Sequence, residues 1–134
     1  MIKARLSGSR VRMLALVLVG AALIPIAVSS RAQPSTREIR LVARNMTYYV
    51  EGSPDPNPTL RVRRGELVRI LLSNSDPGMA HDFGIDAWSV RTRLLDDKAK
   101  NEAVIQFQAP GNPGVTTYSC TPHAQMMRGT IRVE

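Results

Sequence analysis

Alternation of apolar and polar positions runs through most of the chain. Over residues 38–44, Ile39, Leu41 and Ala43 fall on one face and charged or polar residues occupy most of the other, the period of a strand buried on one side. Residues 45–50 are expected to continue extended after a bulge. Residues 51–58 hold Pro54, Pro56, Pro58 and Gly52 and read as a loop. Residues 59–63 and 67–72 alternate again on either side of Arg64-Gly65-Glu66, and two such runs about a short glycine turn predict a hairpin. A second loop follows at 73–78. His81 opens a short strand in which His81, Phe83 and Ile85 share a face. Residues 86–102 have no clear period: Trp88, Val90, Leu94 and Leu95 fit an irregular excursion or a short helix, and 96–100 a polar turn. Ala103, Ile105, Phe107 and Ala109 restore the alternation. A turn at 110–114 leads into a strand at 115–120, and 130–134 forms a last strand with Ile131 and Val133 inward. About seven or eight short strands, regular turn signals and no amphipathic helix predict an all-β fold, an antiparallel β-sandwich or barrel.

Charge changes this picture only at the N-terminus. The chain of 134 residues carries a formal charge of +7, yet Lys3, Arg5, Arg10, Arg12 and Arg31 precede position 33 and no acid does. Subtracting those five from the 18 basic residues leaves 13 against 11 acids, +2 over 33–134. That balance excludes a nucleic-acid footprint, which needs a clustered excess on the folded part. The basic start, the apolar run 13–28 and the small residues before Ala32 have the layout of a secretory signal peptide. Residues 1–32 are therefore expected to be a leader cleaved after Ala32, with Ala27-Val-Ser29 as another possible site. The folded domain would be 33–134, periplasmic or otherwise exported. A membrane association is expected only if the leader stays uncleaved as an anchor.

The chemistry concentrates in Tyr118-Ser-Cys-Thr-Pro-His-Ala-Gln-Met-Met-Arg-Gly129. This stretch holds the only cysteine, Cys120, one of only two histidines, His123, and Met126 and Met127. An exported protein with one cysteine has no internal disulfide to form, so the thiol is a ligand, a reactive group or an intermolecular partner. Thiolate, imidazole and thioether in one short loop form a donor set suited to copper, and two imidazoles, a thiolate and a weak axial methionine define a blue-copper site. The second imidazole has to be His81, about forty residues upstream. Zinc fits less well because methionine is an unusual ligand for it. Cys–His nucleophilic catalysis lacks an orienting acid.

Tyr118-x-Cys120-Thr-Pro-His123, Met-Arg-Gly at 127–129 and the closing strand resemble the cupredoxins of the plastocyanin, amicyanin and pseudoazurin type. Upstream, Val62-Arg-Arg-Gly65-Glu-Leu-Val68, then Asn74 and His81-x-Phe83, are similar to the segment before that family's first ligand. The resemblance covers 59–134 apart from 86–102. It implies a Greek-key sandwich holding one type 1 copper ion, with His81, Cys120 and His123 equatorial and a methionine axial. The Met-x-Gly step favours Met127; Met126 is the alternative. Where the family commonly has Asn after the first histidine, this chain has Asp82, which would need a hydrogen-bond donor and whose charge would lower the reduction potential. Asn74 is a second candidate for tying the loops together. Trp88 and Tyr118 are expected to pack in the core, and Arg91 and Arg93 to lie on a solvated face.

The implied function is single-electron transfer between redox partners by a monomer that is not an enzyme. Transient partners would dock near His123, on a patch with Pro122, Ala124, Gln125, Pro77, Gly78 and Met79. The alternative is a copper-handling chaperone that holds Cu(I) through Met79, Met126 and Met127. A binuclear oxidase-type centre needs two cysteines and is excluded.

Overall fold

A computed structural model describes residues 35–96 and 102–134. The expected leader, 1–32, and most of the polar turn at 96–100 lie outside the described residues. Among the described residues, nine strands make two sheets: β1 (Arg37–Arg44), β2 (Thr47–Val50), β3 (Leu60–Val62), β4 (Leu67–Asn74), β5 (Gly84–Ile85), β6 (Val90–Arg91), β7 (Glu102–Gln108), β8 (Gly114–Ser119) and β9 (Arg128–Val133). One sheet has the order β2-β1-β4-β7 and the other β3-β9-β8-β5-β6. The excursion after β5 contains a 3-10 turn, Asp86–Trp88.

The predicted faces match the buried ones. Ile39, Leu41 and Ala43 of β1, Leu60 and Val62 of β3, Val68, Ile70 and Leu72 of β4, and Ile131 and Val133 of β9 all enter one core between the sheets. Trp88 packs against its edge, next to Phe107.

The pairing departs from expectation in three places. Residues 59–63 and 67–72 do not form a hairpin: β3 pairs with β9, whereas β4 lies between β1 and β7 in the other sheet. Gly65, at φ +67°, turns the chain from one sheet to the other. Both arrangements bury the same alternate residues, so the hydrophobic period cannot separate them. The sheets are also mixed, because β1–β4 and β3–β9 are parallel pairs. Finally, residues 45–50 do not run on from β1. Asn45 and Met46 both take left-handed φ, 51° and 56°, and reverse the chain so that β2 pairs antiparallel with β1. Two central residues at positive φ are the requirement of a tight hairpin turn, usually met by Asn-Gly. Here methionine takes the second place, and the stabilising partner, Asp76, is about thirty residues away.

Three aromatic rings fill the core beneath the ligand loops. Tyr48 meets Tyr118 and Phe83 edge-on at 5.5 and 6.1 Å, and Phe83 stacks on Tyr118 at 5.2 Å. The Tyr118 hydroxyl donates to the Pro58 carbonyl at 2.6 Å, and the Tyr48 hydroxyl donates to the Asp82 carbonyl. Gly129 lies against the Tyr118 ring, where a Cβ would collide. Burial, with the neighbouring Cys120 and Asp82 for Tyr48, raises both phenols well above their ordinary 10.0. A group whose folded pKa is raised contributes stability in full below its unfolded pKa and loses it as pH rises toward the folded one. The metal-free fold should therefore withstand alkali up to about pH 10 and weaken above it. Near-ultraviolet absorbance should show Tyr48 and Tyr118 ionising together with unfolding, monitored by circular dichroism, and not before.

Candidate metal centre

Three donors converge at one end of the sandwich, supplied by two separate segments. Strand β8 ends at Ser119 and delivers Cys120, fully buried, to the start of a short loop. Pro122 fixes its own φ within that loop. The loop then folds back on itself: the Met127 and Met126 amides donate to the His123 carbonyl at 2.9 and 3.0 Å, and the Cys120 amide donates to the Met127 carbonyl at 3.0 Å. These bonds hold Cys120, His123 and Met127 in one compact turn. His81 comes from the segment before β5, held by a reciprocal backbone pair with Leu95 (2.8 and 2.7 Å). Residues 81–85 do not alternate in burial as a one-faced strand would; all five are buried, with Thr121 and Arg91 over Asp82 and the Arg91 guanidinium over Gly84.

The donor atoms of His81, Cys120 and His123 all lie within 4.8 Å of one another. Cys120 Sγ is 3.7 Å from His81 Nδ1 and 3.7 Å from His123 Nδ1. Bonds of about 2.3 Å to a thiolate and 2.0 Å to an imidazole set two donors in a trigonal plane about 3.7 Å apart. The donor set and both sulfur–nitrogen spacings thus fit a metal of trigonal preference. Met127 is fully buried beside them and Met126 is 56 % exposed, so of the two candidates only Met127 has its side chain inside. Burial, with the nearby Asp82 carboxylate, pushes the Cys120 thiol up, against the backbone hydrogen bonds from Asp82 and His123.

Asp82 has the donors that its place beside His81 demands. Its Oδ1 accepts the Thr121 amide at 2.6 Å, and its Oδ2 accepts the Thr121 hydroxyl at 2.7 Å and Arg91 at 3.0 Å. The carboxylate therefore bridges the residue after one candidate ligand to the residue after another. Burial would raise its pKa, but the Thr121 hydroxyl and amide and Arg91 outweigh it and hold the carboxyl low. Arg91 is not the free surface cation expected. Its guanidinium lies across Gly84, where a Cβ would collide, and binds Asp82, Asp86 and the Thr121 hydroxyl. Arg93 is exposed and donates to the Glu102 carbonyl at 2.7 Å.

Asp76 was missed by the sequence reading. It is buried, and its Oδ2 lies 3.0 Å from His81 Nε2. Burial would raise its carboxyl, but the Met46 and Asn45 amides and His81 hold it below the usual value. Burial lowers the His81 pKa against the opposing pull of Asp76. The only sequence signal was an acid a few residues before a candidate ligand, in a stretch otherwise typical of a turn. Asn74 does tie segments, but through the Met79 carbonyl and the Asp76 amide, at 2.7 and 2.9 Å.

No protein-family profile and no curated protein sequence matches the chain. Solved structures do. Auracyanin A, a "blue" copper protein from the green thermophilic photosynthetic bacterium Chloroflexus aurantiacus, superposes with TM-score 0.57 at 16% identity over 75% of this chain and 100% of its own. Rusticyanin from Thiobacillus ferrooxidans gives 0.56 at 21% identity, over 74% and 77%. A chain of a heme-copper terminal oxidase dimer gives 0.58 at 17% identity, over 75% and 65%. At these identities the likeness is one of architecture, and the described residues have the cupredoxin fold, a two-sheet β-sandwich.

Proposed function

We propose that this chain is a mononuclear type 1 copper protein that carries single electrons between redox partners in an exported compartment. The observation that carries the reading is the buried convergence of His81, Cys120 and His123, with both sulfur–nitrogen separations at 3.7 Å. When bound, copper would supply a one-electron Cu(II)/Cu(I) couple. The chain's part is to hold its donors in a fixed arrangement, so that little moves when charge changes. Cys120 and His81 are fully buried, and backbone hydrogen bonds hold each in place. Asp82 and Thr121 join the two ligand segments. Core burial around Cys120 excludes water from the thiolate.

His123 is the only one of the three that reaches the surface. It lies in a recess with Pro122, Ala124, Gln125 and Met126, and Met79 is exposed on the neighbouring loop. This partly apolar, uncharged rim fits weak docking of small area by a redox partner. The structural neighbour auracyanin A, described as a blue copper protein, supports the same reading. The chemistry makes and breaks no bond, so no enzyme activity is assigned.

Copper titration of residues 33–134, followed by visible absorption and paramagnetic resonance, tests the proposal. The expected result is one copper per chain with an intense thiolate band; a colourless, readily exchanged copper would point instead to copper delivery. Met126 and Met127 separate by substitution. Met127→Leu conserves volume, so it should cost the metal-free fold less than about 1.5 kcal/mol. It should nevertheless alter the spectrum and potential of the copper form. Met126→Ser, at an exposed position, should leave both unchanged and shift stability by less than about 0.5 kcal/mol. Chemical denaturation of each variant, with its spectrum, checks the pair.

A further inference from the structure

We infer that Asp76 is a positioning residue for His81: it fixes which ring nitrogen faces the metal and how strongly that nitrogen donates. This inference rests on the copper reading above. Three donors converge on the two oxygens of Asp76. Oδ1 accepts the Asn45 amide at 2.5 Å; Oδ2 accepts the Met46 amide at 2.9 Å and faces His81 Nε2 at 3.0 Å. The carboxylate can only accept from these groups, so the proton of a neutral His81 ring must sit on Nε2. The Nδ1 lone pair is then left toward Cys120, on the side where the three donors gather. His81 has no exposed surface and Asp76 almost none, so water does not compete for this bond. A carboxylate that accepts from the remote N–H of a ligating imidazole orients the ring and raises its basicity.

The arrangement also explains why the turn at Asn45 and Met46 has its unusual backbone. Both residues hold left-handed φ without a glycine, and both aim their amides at Asp76. The β1–β2 turn thus braces the carboxylate from behind, while Asn74 accepts the Asp76 amide at 2.9 Å and fixes its backbone. One carboxylate connects the first candidate ligand to a turn on the opposite sheet.

The test is Asp76→Asn, compared with Asn74→Ala as a control that loosens the same loop and leaves the carboxylate in place. An amide offers His81 one acceptor and one unwanted donor, and no charge. Loss of an outer partner of a ligating histidine costs about 10–100-fold in metal affinity. A more basic imidazole favours Cu(II), so the loss should fall mainly on Cu(II). A tenfold loss of Cu(II) relative to Cu(I) corresponds to a potential raised by about 59 mV for one electron. Nitrogen NMR of the metal-free protein gives an independent readout: the wild type should show His81 protonated at Nε2 with slow exchange, and Asp76→Asn should lose that protection.

If the wild type forms a thiolate–copper band but Asp76→Asn leaves potential and His81 tautomer unmoved, the positioning role fails and the copper reading stands. If Asn74→Ala raises the potential as much as Asp76→Asn, the loop and not the carboxylate is responsible, and the role also fails. If the wild type binds no copper as a thiolate complex, the underlying reading fails. Should Asp76→Asn not fold, Asp76→Glu serves in its place: its extra methylene moves the carboxylate from its 3.0 Å seat at His81 Nε2, so a shifted His81 Nε2–H signal and a shifted potential support the role, and both unmoved overturn it.

Discussion

Replacing Cys120 with serine should abolish the visible thiolate band and nearly all high-affinity copper binding, while leaving the metal-free sandwich folded. Cys120 occupies the centre of the donor group, 3.7 Å from an imidazole nitrogen on each side. Serine keeps the shape and removes the soft, polarisable sulfur on which copper selection rests. Its hydroxyl remains protonated at neutral pH, so the site would lose its one anionic ligand. The affinity loss should exceed the roughly 100-fold cost of losing an outer-shell partner. Equilibrium dialysis against a copper chelator measures it, and far-ultraviolet circular dichroism checks the fold. A Cys120→Ser protein that retained the band would sink the site assignment at once, because no second cysteine exists in the chain to replace it.

The second large effect is expected at Asp82, and it is chiefly one of stability. Asp82→Ala removes the acceptor of both Thr121 groups and of Arg91 in a buried setting. Two short charge-assisted bonds make up most of the loss; the ion pair contributes less, since Arg91 is about a third exposed and keeps Asp86. The metal-free protein should lose about 3 kcal/mol. For a domain near this size that lowers the melting temperature by roughly 12–24 °C. Asp82→Asn keeps an acceptor for the Thr121 amide and should cost less than half as much. Thermal denaturation of the two variants distinguishes them: equal losses would mean that the Thr121 bonds do not join the loops. Arg91 also changes the electrostatic expectation. Its guanidinium, 3.0 Å from Asp82, neutralises much of the charge that by itself would lower the copper potential. Arg91→Ala should therefore expose that charge and lower the potential.

The residues that could be read from the chain were those whose signal is local. The inward faces of β1, β3, β4 and β9 follow from a two-residue period, and the soft donors stand out because Cys120, His81 and His123 are so few. The Met-x-Gly step favoured Met127 over Met126, but the choice depends on a fold-level fact, which of two adjacent side chains turns inward. What escaped the sequence was non-local. Gly65 marks a turn, but whether the next strand stays in the same sheet depends on β9, β1 and β7. Asn45 and Met46 lack the glycine that announces a tight hairpin, because their compensation comes from Asp76. Arg91 seemed a solvated cation since its partners, Asp82 and Thr121, lie nine and thirty residues away.

The position of β9 has a consequence for how the molecule comes to exist. This strand lies between β3 and β8, parallel to one and antiparallel to the other, and Met127 immediately precedes it. It is also the last of the nine to be synthesised. Until it inserts, β3 has no partner and β8 lacks one edge. Pairing it with β3 closes a long span of chain, the kind of contact that slows folding. The five-stranded sheet thus stays open until β9 has inserted, and the turn that gathers Cys120, His123 and Met127 is closed by a late, long-range pairing.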